Sequence, residues 1–226
     1  DAAVVCTPND THEEVVGVCL EQGLHVLCER PLSVSSDSAR RMIEAAEEAG
    51  RQLMTAMNMR FRYDVRSIRQ FVQSGELGEV FFLRSSLLTR RERRPRKGWR
   101  RDPDRAGGGV MMDLGVQAVD LALWLLDYPD VERVSARFHR RRRVEDSATA
   151  LLTLEGGSTV SVEVTWELME ERDRQGVYVF GTRGSAGTSP FRVLKEMETG
   201  LTDVTPPRDP EQGERYTASY RQEWAA

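Results

Sequence analysis

The sequence predicts two architectures in succession, a parallel α/β unit and then an α+β unit with a largely antiparallel open sheet. Three observations predict them. Over residues 2–57, short apolar runs alternate with helical stretches across short links, the pattern of a parallel sheet covered by helices. Beyond residue 130, apolar and polar residues alternate in successive runs, two of them joined by the turn signal Glu155-Gly-Gly-Ser158. Strands grouped after a helix, instead of interleaved with helices, belong to an α+β arrangement.

The elements follow in order. Ala2 to Cys6 is a β-rich apolar run broken by Thr7-Pro8-Asn9-Asp10. Thr11 with Glu14 fits a capping box that opens a helix with Val15, Cys19 and Leu20 on one side, and Gly23 fits its left-handed end. His25 to Cys28 reads as a second strand, and Pro31 breaks the chain. Ser35 or Ser36 caps a helix running to Gly50, and Gln52 to Met57 forms a third strand. Val65, Ile68 and Val72 mark an amphipathic helix over Tyr63 to Ser74. Val80 to Leu88 is a strand, Thr89 to Ala106 a polar loop, and Gly107-Gly-Gly109 leads into a helix over Val110 to Leu126. Val134, Ala136 and Phe138 alternate in a strand, then Leu152 and Leu154 pair with Val160, Val162, Val164 and Trp166 in a hairpin. Val177 to Phe180 is a further strand, and Thr202 to Gln212 reads as a surface loop.

Composition excludes several classes. Of 226 residues, 39% are hydrophobic and 30% charged, too apolar for a disordered chain. No apolar run approaches the roughly 20 residues that span a bilayer, which argues against a membrane protein. With 32 basic and 36 acidic residues the net charge is −4, which argues against a general nucleic-acid binder. Cys6, Cys19 and Cys28 are odd in number and form no CxxC, so neither a disulfide framework nor a metal site is expected, and a cytoplasmic location is. The chain opens inside an apolar strand, Asp1-Ala-Ala-Val-Val5, which is expected of a piece of a longer protein.

Ligands of open parallel sheets bind beyond the carboxyl ends of the strands. Thr7 to His12, Glu29 to Pro31 and Asn58 to Phe61 occupy those positions. Taken together, Thr7-Pro-Asn-Asp-Thr-His12, Cys28-Glu-Arg-Pro-Leu32 and Asn58-Met-Arg-Phe61 resemble, in order and spacing, the Gfo/Idh/MocA family of glucose–fructose oxidoreductase and inositol dehydrogenase relatives. Trp99-Arg-Arg-Asp102, the run from Gly107 to Asp120, Glu145-Asp-Ser147 and Gly181-Thr-Arg-Gly184 extend the resemblance to about residue 187.

The resemblance implies the C-terminal part of a Rossmann dinucleotide-binding domain over residues 1–57 and an α+β substrate and oligomerisation domain over 58–226, incomplete at its C-terminus. It implies an oxidoreductase that uses NAD or NADP on a sugar, polyol or related carbohydrate-like molecule, homo-oligomeric through its open sheet, with no nucleic-acid or membrane partner. Thr7, Pro8, Asn9, His12, Glu29, Arg30, Pro31, Asn58 and Arg60 are the expected cofactor-binding residues, with Pro31 in a cis turn. Arg30, Asp113 and Gln117 are the expected catalytic residues, and Trp99, Arg100, Asp113 and Gln117 the expected substrate contacts. The glycine-rich pyrophosphate turn of such a domain is not in this sequence. The βαβ unit carrying it would take about 60 residues, and without it dinucleotide binding is expected to be weak.

Two positions depart from the family pattern. Arg30 stands where lysine is usual and Gln117 where histidine is usual. Arginine effectively never deprotonates and glutamine does not titrate, which leaves Asp113 as the titratable member of the motif. These departures leave open a catalytically impaired relative that binds a dinucleotide or sugar as a sensor. Asp113, Gln117, Asp120 and Trp124 share one helical stripe, expected to face a cleft, and Leu114, Ala118, Leu121 and Leu125 share the next, expected to face the core.

Bland readings stand beside several of these assignments. His12 fits a solvated or capping residue as well as a ligand. Asn58 and Arg60 fit a domain junction, Asp120 a helix anchor, and Trp99 either a loop anchor or a lid over a sugar face. Nine basic residues between Arg90 and Arg105 face three acids. That run, like Arg140 to Arg143, reads as a solvated edge or as a grip for an anionic substrate.

Overall fold

A computed structural model describes residues 1–91, 98–141, 143–207 and 215–225. Two sheets organise the chain. The first holds β1 (Ala2–Val5), β2 (His25–Cys28) and β3 (Leu53–Thr55) in that order, all parallel. Helices α1 (His12–Glu21) and α2 (Ser36–Glu48) make the crossovers. Ser35 caps α2 by accepting from the Ser38 amide, and Gly23 and Gly50 close the two helices at positive φ. Val5, Val16, Leu20, Val26, Cys28, Met42 and Ala46 form the core between sheet and helices.

The expected capping box at α1 does not form. Residues Asn9–Thr11 make a 3-10 turn, and the Thr11 hydroxyl donates back to the Pro8 carbonyl at 2.7 Å and to Thr7 Oγ1 at 2.9 Å. A tighter turn brings the earlier oxygens within reach before the helix amides.

A 3-10 turn at Asn58–Phe61 and helix α3 (Tyr63–Gln73) lead into the second sheet. Its strands are β4 (Val80–Arg90), β5 (Val131–His139), β6 (Ser147–Leu154), β7 (Thr159–Leu168), β8 (Arg174–Gly181), β9 (Gly184–Thr188), β10 (Phe191–Met197) and β11 (Gly200–Asp203). They lie in the order β11-β10-β9-β8-β4-β7-β6-β5. Within this second sheet, β4 and β7 are the only parallel pair among the described strands. Strands β9 to β11 were not anticipated, and Thr202 and Asp203 belong to β11 instead of a surface loop. Residues 208–212 of the expected loop lie outside the described residues.

One face of this sheet is covered. Leu83 and Leu87 of β4, Ala148, Ala150, Leu152 and Leu154 of β6, Val160, Val162 and Val164 of β7, and Val177 and Val179 of β8 pack with Leu114, Ala118, Leu121 and Leu125. The expected core stripe of the long helix is therefore the observed one. The opposite face carries the stacked pair Phe82–Phe180, the Arg84–Glu163 ion pair and a half-exposed Leu151. Strand β5 forms the sheet edge, with Val134 and Phe138 59% and 58% exposed.

The helical stretch Pro103–Leu125 corrects one expectation. It runs 23 residues and holds an 18-residue window that is, by length and composition, apolar enough to cross a bilayer. Half of that window is buried inside the protein, and its apolar stripe packs on the second sheet, the position of a core helix.

Candidate active site

A cavity of 370 Å³ opens where the carboxyl ends of β1 and β2 meet the stretch before α5 (Val116–Leu125). That volume lies within the range of small-molecule sites. From the first sheet come Cys6, Thr7, Asn9, His12, Glu29, Arg30 and Pro31, and from the second part Trp99, Arg100, Ala106, Gly108, Gly109, Met112, Asp113, Leu114 and Trp166. The cavity is thus built across the junction of the two sheets.

Local contacts lock that junction. Helix α4 (Pro103–Ala106) starts at Asp102, whose side chain accepts from the Asp104 amide. The buried Asn9 side chain donates to the Ala106 carbonyl at 3.0 Å, and Arg105 pairs with Asp10 at 2.9 Å. Asn9→Ala leaves that carbonyl without its donor and is expected to lower stability by about 1–2 kcal/mol in urea denaturation. An unchanged midpoint would mean that the junction holds without this bond.

The glycine triplet is required by close approach. The Gly109 amide donates to Glu145 Oε1 at 2.8 Å and the Val110 amide to the Glu145 carbonyl at 2.9 Å. A Cβ on Gly109 would stand 2.0 Å from that carbonyl oxygen. A π-helical turn, Met111–Gly115, then carries Asp113 into the cavity.

Asp113 is the hub. Arg30 Nη1 donates to Asp113 Oδ1 at 3.2 Å and to its carbonyl at 3.1 Å. Trp166 Nε1 donates to Asp113 Oδ2 at 3.0 Å. The Arg30 and Asp113 side chains are 23% and 22% exposed, so a ligand entering the cavity reaches both. The Arg30–Pro31 peptide is cis, and the Arg30 amide donates to Glu29 Oε2 at 3.2 Å.

Other titratable lining residues are occupied or held protonated. His12 is fully buried; Nδ1 stands 3.0 Å from the Pro31 carbonyl and Nε2 stands 2.9 Å from the Thr7 carbonyl. The ring therefore ties the first two loops together, and the reading of His12 as a solvated residue is corrected. Burial and the nearby Glu29 push the Cys6 thiol up, so it is a poor nucleophile here. The Trp99 ring lines the cavity with the Arg100 guanidinium 4.5 Å from its centroid, a cation–π contact.

This architecture has known relatives. Residues 1–57 match the oxidoreductase family model described as an NAD-binding Rossmann fold, and residues 65–187 match the GFO/IDH/MocA C-terminal domain. The chain belongs to the Gfo/Idh/MocA family. It is 28% identical to the D-glucoside 3-dehydrogenase of Escherichia coli, covering 87% of this chain and 61% of that protein. It is 33% identical to D-xylose 1-dehydrogenase (NADP(+)) 2 of Haloferax volcanii, covering 99% of this chain and 67% of that protein. Among solved structures, GenD2 from gentamicin A biosynthesis, in complex with NAD, superposes with a TM-score of 0.79 at 26% identity, covering 97% of this chain and 66% of that one. This chain therefore spans roughly three fifths to two thirds of the length of these relatives.

Within this Gfo/Idh/MocA chain the expected site residues divide. Thr7, Asn9, His12, Glu29, Arg30, Pro31, Trp99, Arg100 and Asp113 line one cavity. Pro8, Asn58, Arg60 and Gln117 do not. Pro8 precedes the 3-10 turn, its carbonyl taken by Thr11. Asn58 Nδ2 donates to Ser219 Oγ at 3.3 Å, and Arg60 makes a two-pronged contact with Asp120, 2.8 Å at Nε. Both therefore serve the junction with neighbouring helices. Gln117 is buried, and its amide donates to the Asp113 carbonyl at 3.2 Å.

The expected polar stripe comes apart for a geometric reason. The π turn adds a residue to the helical repeat just at Asp113, so the 3.6-residue spacing to Gln117 no longer holds. Asp113 faces the cavity, Asp120 holds Arg60, and Trp124 lies under the Arg69 guanidinium at 4.1 Å.

Trp166 is a site residue that the sequence reading placed only in an apolar strand face. Arg90, Arg91 and Arg141 of the basic runs pair with Asp173 and Glu167, the pattern of solvated ion pairs. Residues 92–97 and 142 of those runs lie outside the described residues.

Proposed function

We propose that this chain is part of an NAD(P)-dependent oxidoreductase that transfers a hydride between a nicotinamide cofactor and a sugar, polyol or related compound. The observation that carries this reading is the Arg30–Asp113–Trp166 cluster at the mouth of parallel strands, in a cavity walled by Trp99. The cavity suits the nicotinamide end of a dinucleotide: Thr7, Glu29 and Pro31 form its strand-end wall, and its volume accommodates a ring with a small polar substrate. Bound there, NAD or NADP would supply hydride acceptance or donation.

The protein's own groups would do the rest. Arg30 stabilises negative charge developing on the reacting oxygen and fixes its position. Asp113, within reach of the same atom, takes up the hydroxyl proton during oxidation and returns it during reduction. Trp166 holds one carboxylate oxygen, so the other faces Arg30 and the substrate. Trp99 offers a flat face to the apolar side of a sugar ring. Gln117, through the Asp113 carbonyl, positions the π turn.

Likeness to a glucoside dehydrogenase and a xylose dehydrogenase favours turnover over a purely sensing role. The uncovered face of the second sheet, with Phe82, Phe180 and Leu151, supports assembly of copies through that face. Three free cysteines suit a cytoplasmic setting. The test is fluorescence titration of the full-length protein with NADH and NADPH, followed by a polyol and aldose panel with NAD(P)+. Binding of one dinucleotide and oxidation of at least one polyol or sugar is expected. Binding of neither dinucleotide would overturn the reading.

A further inference from the structure

The basic run ahead of the glycine triplet divides in the folded chain. Arg90 and Arg91 pair with Asp173 and Glu167, and Arg105 pairs with Asp10. Trp99–Arg101 form a 3-10 turn, in which successive side chains leave the axis about 120° apart. Trp99 and Arg100 line the cavity, while Arg101 does not and has its Nε buried. Among the described residues of the run, Arg100 is thus the arginine that enters the cavity, and it forms neither a hydrogen bond nor an ion pair with a described residue.

Its donors are held ready. The guanidinium stands over the Trp99 ring, 4.5 Å from the centroid, a contact that fixes the group without hydrogen bonds and leaves the N–H fork at its edge uncommitted. The neighbouring charges are matched elsewhere. Asp113 is held by Arg30 and Trp166, and Glu29 accepts from the Arg30 amide.

We propose that Arg100 determines substrate class: it binds the carboxylate of a sugar acid whose secondary hydroxyl lies at Arg30 and Asp113. The inference rests on the reading of this cavity as the substrate site of an NAD(P)-dependent oxidoreductase. A single guanidinium offers one fork and one charge, which match the two oxygens and one charge of a carboxylate. A phosphate dianion would need a second cation, and Arg30 is already committed to Asp113. Arg30 enters from the strand ends and Arg100 from the turn before α4, so a substrate touching both lies across the cavity. Trp99 gives one ring face to Arg100 and keeps the other for the same sugar. The carboxylate itself does not react. The hydroxyl-bearing carbon loses its hydride to the nicotinamide and the hydroxyl its proton to Asp113, leaving a keto acid.

The test compares acid and neutral partners of like size on the full-length protein with NAD(P)+: gluconate against glucitol, galacturonate against galactose, and glucose 6-phosphate beside them. For at least one pair, kcat/KM is expected to favour the acid by tenfold or more. Arg100→Gln should cut that preference by about 10–100-fold, the value of a charge-assisted hydrogen bond, while Arg100→Lys, which keeps the charge but not the fork, should cut it by less. The wild-type KM for the acid should rise with added KCl, and that salt dependence should weaken in Arg100→Gln. No preference for either acid, an unchanged preference in Arg100→Gln, or better turnover of the phosphate would overturn the proposal. Turnover of the neutral partners would then leave the proposed function standing.

A second measurement needs no cofactor. Trp99 emission, taken as the difference between wild type and Trp99→Phe, is titrated with gluconate and with glucitol. A saturable change with gluconate alone, lost in Arg100→Gln, is expected. Equal responses to both compounds, or no response to gluconate, would overturn the proposal. Failure to bind either dinucleotide would sink the proposed function and leave this readout intact.

Discussion

Asp113→Asn is expected to lower kcat by about 10²–10⁴-fold on whichever polyol or sugar the panel identifies, the usual contribution of a positioned acid–base group. NADH affinity should change by no more than about threefold. The asparagine keeps the volume and still offers an oxygen to the Trp166 indole, but it cannot exchange a proton and no longer pairs with Arg30 as a charge. Because both partners of the Arg30–Asp113 pair are partly exposed, the stability cost should stay near 1 kcal/mol, a Tm change of about 2–4 °C. Steady-state kinetics beside a thermal scan separate the two effects. If kcat stayed within threefold of wild type, the proton would be going elsewhere, and Glu29 would be the next lining carboxylate to replace.

Gly109→Ala should do the reverse and damage the fold first. Its methyl would meet backbone on all sides: the Glu145 oxygen at 2.0 Å, nitrogen at 2.9 Å and carbonyl carbon at 3.0 Å. None of these is the free end of a side chain, so the Glu145 turn has to move and the bonds from the Gly109 and Val110 amides go with it. An overpacking cost of about 3 kcal/mol or more follows. Since Gly108 and Gly109 also wall the cavity, dinucleotide binding should fall with stability. Gly17→Ala is the matched control: it lies inside α1 with nothing within 4 Å of a built Cβ, and should stabilise by about 0.5–1 kcal/mol. Urea denaturation of the pair decides the point. A Gly109→Ala protein as stable as wild type would mean that the turn yields freely.

The sequence was most readable where local chemistry and tertiary structure agree. His25–Cys28 is a strand with the expected ends, Ser35 is the cap of α2, and the Leu114–Leu125 stripe is the core face. Asn9, Glu29 and Arg30 could be placed together because strand ends of a parallel sheet converge by topology, while Asp113 joined them through the resemblance of the Gly107–Asp120 run to the family pattern. Readability failed where contacts span long separations. Ser219 meets Asn58 across 161 residues, and no local period marks Glu223 as buried. It failed again at the π turn, because a single extra residue in the repeat leaves no trace in a 3.6-residue pattern. Trp166 was hidden by its strand: the alternation Val160, Val162, Val164 makes it look like the next core residue, yet its indole N–H reaches Asp113.

The bare edge at β5 has a practical consequence for handling the protein. Val134 and Phe138 stand in the open on a strand whose outer backbone groups have no described neighbouring strand to bond. Such a rim is a template for pairing chains end to end into insoluble assemblies. Arg133 and Arg137, exposed on the same strand, act as gatekeepers by setting like charges against each other when two rims approach. Neutralising both arginines should turn a soluble preparation turbid at concentrations that wild type tolerates. The same replacements should leave the distant cavity, and hence dinucleotide affinity, untouched.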